Sequence, residues 1–298
     1  MGDDAGRTAI PIALMPPYRA NVASDPQWMT RFAQQAEALG FESVYLVEHV
    51  VVPTGHAARY PYSADGRMPL PDDCELPDPL ELAAFLLART ERLVLATGIL
   101  VGPHHHPLVL AKRAATLSVL SGDRFRLGLG VGWMREELEA TGIDPSTRGR
   151  RLDELIAAMR IVWSDDEPTY NGEFFRFANA RSHPKPIGGT VPIHIGGHSS
   201  AAARRAGRWG AGIQPLGLAG DELAAALDEM SAAAADAGRD PSLLDVTLGA
   251  ALSTVDPGVV ERLAATGATR VLCSARSVDP SEVDRELTAA AHRLGLSG

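Results

Sequence analysis

Short apolar runs of strand length recur along the chain, separated by stretches with helical periodicity. The runs are IPIALM (10–15), SVYLVEH (43–49), LVLATGIL (93–100), FRLGLGVG (125–132), PIHIGG (192–197), AGIQPLG (211–217), LDVTLGA (244–250) and TRVLCSA (269–275). Between them lie amphipathic stretches such as PQWMTRFAQQAEALG, PLELAAFLLARTER, PLVLAKRAATLSVLSG, RRLDELIAAMRIVW, SSAAARRAGRWG and DELAAALDEMSAAAADAG, several opened by proline. Strands alternating with helices imply a parallel sheet with helical crossovers, and eight strands in 298 residues predict a closed α/β fold, the (β/α)8 TIM barrel. Two stretches interrupt the alternation. Residues 50–78, after strand 2, are rich in proline, glycine and aspartate, and residues 164–191, before strand 5, contain a hairpin signal in YNGEFFRF, where Asn-Gly marks a turn. Neither has the character of a separate domain, so residues 1–298 are read as one domain with two insertions. Long loops in a compact domain are usually lids or binding loops, and in a barrel the loops that follow strands stand on the catalytic face. The 50–78 stretch is therefore either a substrate cover or a surface excursion without a role.

Composition narrows the class without naming the chemistry. The chain is 45% hydrophobic and 22% charged with a formal net charge of −9, which opposes nonspecific attraction to nucleic acid or to an acidic membrane. No run approaches the roughly 18 apolar residues of a membrane span, and MGDDAGRTAIPIAL has the wrong order of charge for a secretory signal. Cys74 and Cys273 match no metal spacing and no disulfide framework. A soluble protein of the cytoplasm is expected, acting on a small molecule with neither nucleic acid nor membrane as partner.

Candidate chemistry gathers at the strand ends. Glu48 and His49 follow the second strand, at the rim where a barrel collects its catalytic groups; a histidine there is either structural or a hydrogen-bonding and proton-exchanging group. Gly98 stands inside the third strand, the mark of a bulge, of close ligand approach or of tight packing. Gly128, Gly130 and Gly132 spell GxGxG but lack the last glycine of a dinucleotide loop, so a Rossmann reading is rejected. Gly196, Gly197, His198 and Ser199 precede an alanine-rich helix and bring backbone N–H groups, a hydroxyl and a helix N-terminus together, parts that suit a phosphate and equally a helix cap. Three consecutive histidines, His104 to His106, first suggest a metal, but side chains on adjacent residues diverge and supply few ligands to one ion. No metal ligand is assigned.

Taken together, EHV after strand two, residues 95–142 (LATGILVGPHHHP through LEATG), RGRRLDELIAAMRIVW (148–163) and PKPIGGTVPIHIGGHSSAAARRAGRWG (184–210) resemble the luciferase-like monooxygenase superfamily, most closely its coenzyme F420-dependent oxidoreductase branch. The resemblance spans most of residues 10–215. It implies a non-prolyl cis peptide at Gly98–Ile99, just after Thr97, lying against a flavin-type ring. It also implies a cofactor contact at His49, a loop beside the ring at Gly130, Val131, Gly132 and Trp133, and a phosphate loop at Gly196, Gly197, His198 and Ser199. The chain departs from the pattern at GAGI (210–213), where many relatives have Gly-Asp-Gly-Trp, which puts contacts from the sixth strand in doubt.

The implied activity is hydride transfer between the deazaflavin coenzyme F420 and a small organic substrate, with His49 and Glu48 as candidates to carry the proton. The alternative cofactor is FMN, whose reduced form would react with oxygen to give a monooxygenase; a phosphate loop serves both. Arg59, Arg67 and Arg135 are either partners for the oligoglutamate tail of coenzyme F420 or ordinary surface charges. A metal-dependent hydrolase and a non-catalytic flavin-binding protein on the same barrel are the readings from other classes. The family also implies a homodimer and a flavin or F420 reductase that supplies reduced cofactor.

Overall fold

The computed structural model describes residues 10–63, 65–71, 73–275 and 277–297. Eight parallel strands close on themselves: β1 (Ile12–Met15), β2 (Ser43–Leu46), β3 (Val94–Thr97), β4 (Phe125–Gly130), β5 (Ile193–Gly196), β6 (Gly212–Gln214), β7 (Asp245–Ala251) and β8 (Arg270–Ser274). Each pairs with its neighbours in sequence, and β1 pairs with β8, Ile12 beside Val271. The protein is an α/β TIM barrel. All eight apolar runs become strands, though the third breaks after Thr97 and resumes as Leu100–Val101, which pairs with Leu129 and Gly130 of β4.

The crossovers are α1 (Pro26–Ala38), α2 (Pro79–Leu87), α3 (Pro107–Ser121), α4 (Arg135–Ala140), α5 (Arg148–Ser164), α6 (Ser200–Trp209), α7 (Gly220–Asp236), α8 (Pro257–Ala265) and α9 (Pro280–Leu294). Four of them begin with Asp-Pro: Asp25, Asp78, Asp256 and Asp279 each accept from a backbone N–H of the first turn, while the proline fills a position that needs no donor. Helices α4, α8 and α9 lie outside the helical stretches expected from the sequence. The hairpin forms as Tyr170–Asn171 against Arg176–Phe177. Its turn is longer than an Asn-Gly pair implies, because the Glu154 carboxylate accepts from the N–H groups of Glu173, Phe174 and Phe175 and holds residues 172–175 together.

Alternation along the strands divides the core. Leu14, Val44, Leu95, Leu127 and Ile195 face the helices, while Ala13, Tyr45 and Ala96 form a small apolar cluster of their own inside the barrel. The rest of the interior toward the strands' N-terminal ends is ionic. The Glu42 carboxylate meets Arg126 (Nη1 at 3.1 Å) and Arg270 (Nε at 3.2 Å), Arg270 reaches Asp245 at 3.3 Å, and Asp245 lies 3.5 Å from His194 Nε2. Charges this deep are tolerated because each is paired.

Burial raises the Glu42 carboxyl, but the two guanidiniums outweigh it and hold the group at about 2, below its ordinary 4.5. Burial likewise drives the His194 imidazole below its ordinary 6.5, against the pull of Asp245. Both groups bind protons more readily in the unfolded chain, so both remove stability on acidification: His194 as pH falls below 6.5, Glu42 as it falls from 4.5 to about 2. Urea unfolding measured across this range is expected to show both losses. Glu42→Gln is expected to cost about 1–3 kcal/mol at neutral pH, by leaving two arginines short of a counter-charge, and to flatten the acid limb. An acid limb of unchanged slope in that variant contradicts the assignment.

Candidate active site

A cavity of about 540 Å3 opens at the C-terminal ends of the strands. Met15, Gly130, Gly196, Gln214, Gly249 and Leu272 bring β1, β4, β5, β6, β7 and β8 to it, and Val47 follows directly on β2. Glu48, His49, Gly98, Ile99, Val131, Gly132, Trp133, Gly197, His198 and Ser199 also line it, so all but one of the proton-carrying and cofactor-contact residues implied by the family resemblance meet in one place. The exception is Thr97. It is fully buried, its hydroxyl donates to Gly128 O and accepts from Gly128 N–H, both at 2.8 Å, and it is absent from the cavity wall. Its hydroxyl ties β3 to β4, behind the cavity wall.

The floor is built around Ile99. The Gly98–Ile99 peptide is cis, as the family resemblance implies. A Cβ on Gly130 would approach Ile99 Cδ1 to 2.6 Å, and one on Gly196 would approach Ile99 Cγ2 to 2.6 Å. These two strand ends lack side chains because the isoleucine occupies their space. Gly98 is explained differently: its Cβ would approach the buried Tyr45 ring, Cδ1 at 3.0 Å, so the missing side chain serves packing inside the barrel.

The long loop after β2 roofs the cavity through Arg59, Tyr60, Tyr62, Met68 and Leu70. An arc of edge-to-face rings crosses the mouth: His49 to Trp133 at 6.0 Å, Trp133 to Tyr60 at 5.2 Å, Tyr60 to Tyr62 at 5.1 Å and Tyr62 to His198 at 5.1 Å. Burial pushes the Tyr60 phenol up to about 12, so it stays neutral at working pH. With Met15, Val47 and Leu216 the arc makes a largely apolar chamber.

Glu48 and His49, adjacent in sequence, part company in space. Glu48 is buried; its Oε2 accepts from Val101 N–H at 2.6 Å and its Oε1 lies 2.9 Å from His105 Nε2, which ties the loop after β2 to the resumed third strand. His49 instead turns Nδ1 to Glu137 Oε2 at 2.8 Å. Glu137 is not among the site residues expected from the sequence. Its signal is faint, an acidic residue on the inward face of the short helix α4, and only the fold brings it to His49. The histidine run separates as expected of neighbours: His104 Nδ1 meets Thr141 Oγ1 at 2.8 Å, His105 meets Glu48, and His106 Nδ1 accepts from Leu108 N–H at 3.3 Å as the cap of α3. Among the described residues no three His, Cys, Asp or Glu side chains converge as a metal site.

On the opposite wall Ser199 Oγ accepts from Ala202 N–H at 3.2 Å and caps α6, while Gly197 adopts φ +136°, a conformation suited to glycine. A second chamber of about 520 Å3 adjoins here, sharing Val131, Arg148, Ser199 and Arg205 with the first and adding Arg135 on its rim. Arg205 is buried and held by Asp153, Nε to Oδ1 at 2.6 Å. Arg135 is 70% exposed and pairs with Glu139 at 2.7 Å. Arg59 lines the first cavity and donates to Asp65 O at 3.2 Å; Arg67 lines neither chamber.

The model of the luciferase-like monooxygenase family matches residues 10–268. The chain belongs to this family. Uncharacterized protein Rv0953c of Mycobacterium tuberculosis is 35% identical over 55% of the chain, and the match spans only 58% of that relative's length. An FMNH(2)-dependent dimethylsulfone monooxygenase of Pseudomonas fluorescens is 32% identical over 69% of this chain and 52% of its own. Among solved structures, an F420-dependent secondary alcohol dehydrogenase in complex with an F420-acetone adduct superposes with a TM-score of 0.76 over 95% of this chain and 98% of its own, at 18% identity, a likeness of fold. Among the described residues no helix is long and apolar enough to cross a membrane.

If Ile99 occupies the space of two missing side chains, the three positions are coupled. Gly196→Ala is expected to destabilise by about 1–3 kcal/mol through overpacking. Combined with Ile99→Ala, the loss is expected to be smaller than the sum of the single losses by about 0.5–3 kcal/mol. Additive losses in urea denaturation contradict the arrangement.

Proposed function

We propose that this chain is an oxidoreductase that transfers a hydride between the deazaflavin coenzyme F420 and a small, largely apolar organic substrate. The observation that carries the choice of cofactor is the arginine-bearing chamber that adjoins the first cavity at Ser199, the last residue of the loop Gly196–Ser199. A phosphate at that loop fits either FMN or coenzyme F420, but FMN ends there. The deazaflavin continues into an anionic oligoglutamate tail, which Arg148 and Arg135 would accept.

The first cavity fits a flat ring on its own evidence. Its floor is the Ile99 side chain packed over Gly130 and Gly196, and the buried Gln214 Nε2 has no protein partner among the described residues, leaving an amide donor free for a ring acceptor. When bound, the deazaflavin supplies a two-electron hydride acceptor or donor at its central ring carbon. The protein's own contributions are orientation and proton handling. Ile99 and Gly98 form the floor, the apolar roof of Tyr60, Tyr62, Met68 and Leu70 excludes water, and His49 takes or returns a proton at Nε2. An FMN-dependent monooxygenase is the second reading, favoured by the 32% identity to the dimethylsulfone enzyme.

Fluorescence titration of the purified protein with coenzyme F420 and with FMN separates the two. Tighter binding of coenzyme F420 is expected. Arg135→Ala should weaken coenzyme F420 by roughly two- to fivefold, the scale of an exposed ion pair of up to about 1 kcal/mol, and leave FMN unaffected. A deazaflavin without the glutamate tail should bind wild type and variant alike. Tight FMN binding with no deazaflavin binding overturns the proposal.

A further inference from the structure

Glu137 is 1% exposed and both of its oxygens are engaged. Oε1 accepts from Val50 N–H at 2.7 Å and Oε2 lies 2.8 Å from His49 Nδ1. A backbone N–H can only donate, and a carboxylate can only accept, so the short contact to His49 requires the hydrogen to sit on Nδ1. A neutral His49 is then the Nδ1–H tautomer, with its lone pair on Nε2. Nε2 has no protein partner among the described residues, and the ring lines the cavity with its edge set against Trp133. The third neighbour of the carboxylate, His104 Nε2, stands 3.8 Å from Oε1, and burial keeps that imidazole neutral by lowering its proton affinity.

We propose that Glu137 is a positioning residue that fixes the tautomer of His49, so that the cavity meets a proton acceptor at Nε2 and not an N–H donor. The inference rests on the reading of His49 as the proton carrier of a hydride-transfer site. The step it serves is the oxidation of a hydroxyl-bearing substrate. With a deazaflavin bound, the C–H bond would break and its electron pair would leave with the hydrogen to that acceptor, which would be reduced. The O–H bond breaks, its proton passes to His49 Nε2, and the C–O bond becomes C=O. The resulting imidazolium keeps Nδ1–H on Glu137, whose negative charge stabilises it, and later releases its proton to water. In the reducing direction the imidazolium returns the same proton to the carbonyl oxygen.

Glu137→Gln tests this sharply because it keeps the shape and removes one acceptor. The single amide oxygen must serve Val50 N–H, the donor that cannot invert, which turns the amide NH2 toward His49 Nδ1. His49 must then change to the Nε2–H tautomer, as expected whenever an amide replaces the carboxylate behind a catalytic imidazole. The effect on kcat with an alcohol substrate is expected to be a loss of about 10²- to 10⁴-fold, the usual scale of general acid–base catalysis, with little change in cofactor affinity.

The deciding measurement needs no cofactor. In unliganded protein carrying 15N-labelled histidine, at a pH about two units above the ordinary imidazole value of about 6.5, His49 is assigned by the loss of its signals in His49→Asn. Wild type is expected to show a protonated Nδ1 and a bare Nε2, and Glu137→Gln the reverse. A wild-type His49 protonated on Nε2 overturns the proposal even if the variant fails to fold, and a folded Glu137→Gln protein that keeps the wild-type tautomer overturns it as well. Failure to bind coenzyme F420 would strike the cofactor reading alone, since the tautomer is read without it.

Discussion

Ile99 sits at the break in the third strand, and its side chain takes the room that side chains on Gly130 and Gly196 would fill. Much of the site follows from this one exchange of volume. With the isoleucine packed against the ends of β4 and β5, those strands can end in glycines and lead directly into the loop before Trp133 and the loop before α6. The third strand then resumes at Leu100–Val101, where Val101 N–H donates to Glu48 and so connects the floor to the loop that carries His49. The same break therefore shapes the surface on which a ring can lie and helps to place the imidazole beside it.

Two carboxylates divide the labour around that imidazole. Glu48 holds the backbone of the resumed strand and His105, while Glu137, almost ninety residues away in sequence, holds His49. The histidine run contributes indirectly, with His104 beside Glu137, His105 on Glu48 and His106 capping α3. A polar wall of imidazoles and carboxylates thus backs a chamber whose roof is mainly aromatic and aliphatic. Such a contrast suits chemistry in which one proton must be handled while water is kept from a hydride donor. At the other end, a capped helix and buried Arg205 lead outward toward Arg148 and Arg135, a path suited to the anionic end of a long cofactor.

Much of the fold was legible in the sequence because buried parallel strands read as apolar runs, and Asp-Pro or glycine boundaries mark the ends of helices. Helices α8 and α9 are not among the expected stretches, although each opens with the same Asp-Pro signal as α1 and α2. Strand ends made the site legible, since a barrel collects functional groups there whatever the chemistry. The rest depended on distance in space. Nothing near EHV points to Glu137, and nothing near Thr97 shows that its hydroxyl is spent on Gly128. The ionic interior did leave a trace, in Arg126, His194 and Arg270 at alternate positions of otherwise apolar strands, which is how side chains inside a barrel appear in sequence. Gly98 shows the converse: a strand glycine suggests ligand approach, and here its immediate cause is the ring of Tyr45.

In the function proposed, a deazaflavin lies between the Ile99 floor and the aromatic roof, with its phosphate at the Gly196–Ser199 loop and its reactive face toward His49. A crystal structure of the protein with coenzyme F420 tests this most directly. The ring is expected over Ile99, the phosphate at the N-terminus of α6, the tail past Arg148 toward Arg135, and room for substrate beside His49 Nε2. A cofactor bound with its ring outside the barrel mouth, or with its phosphate away from that loop, would contradict it.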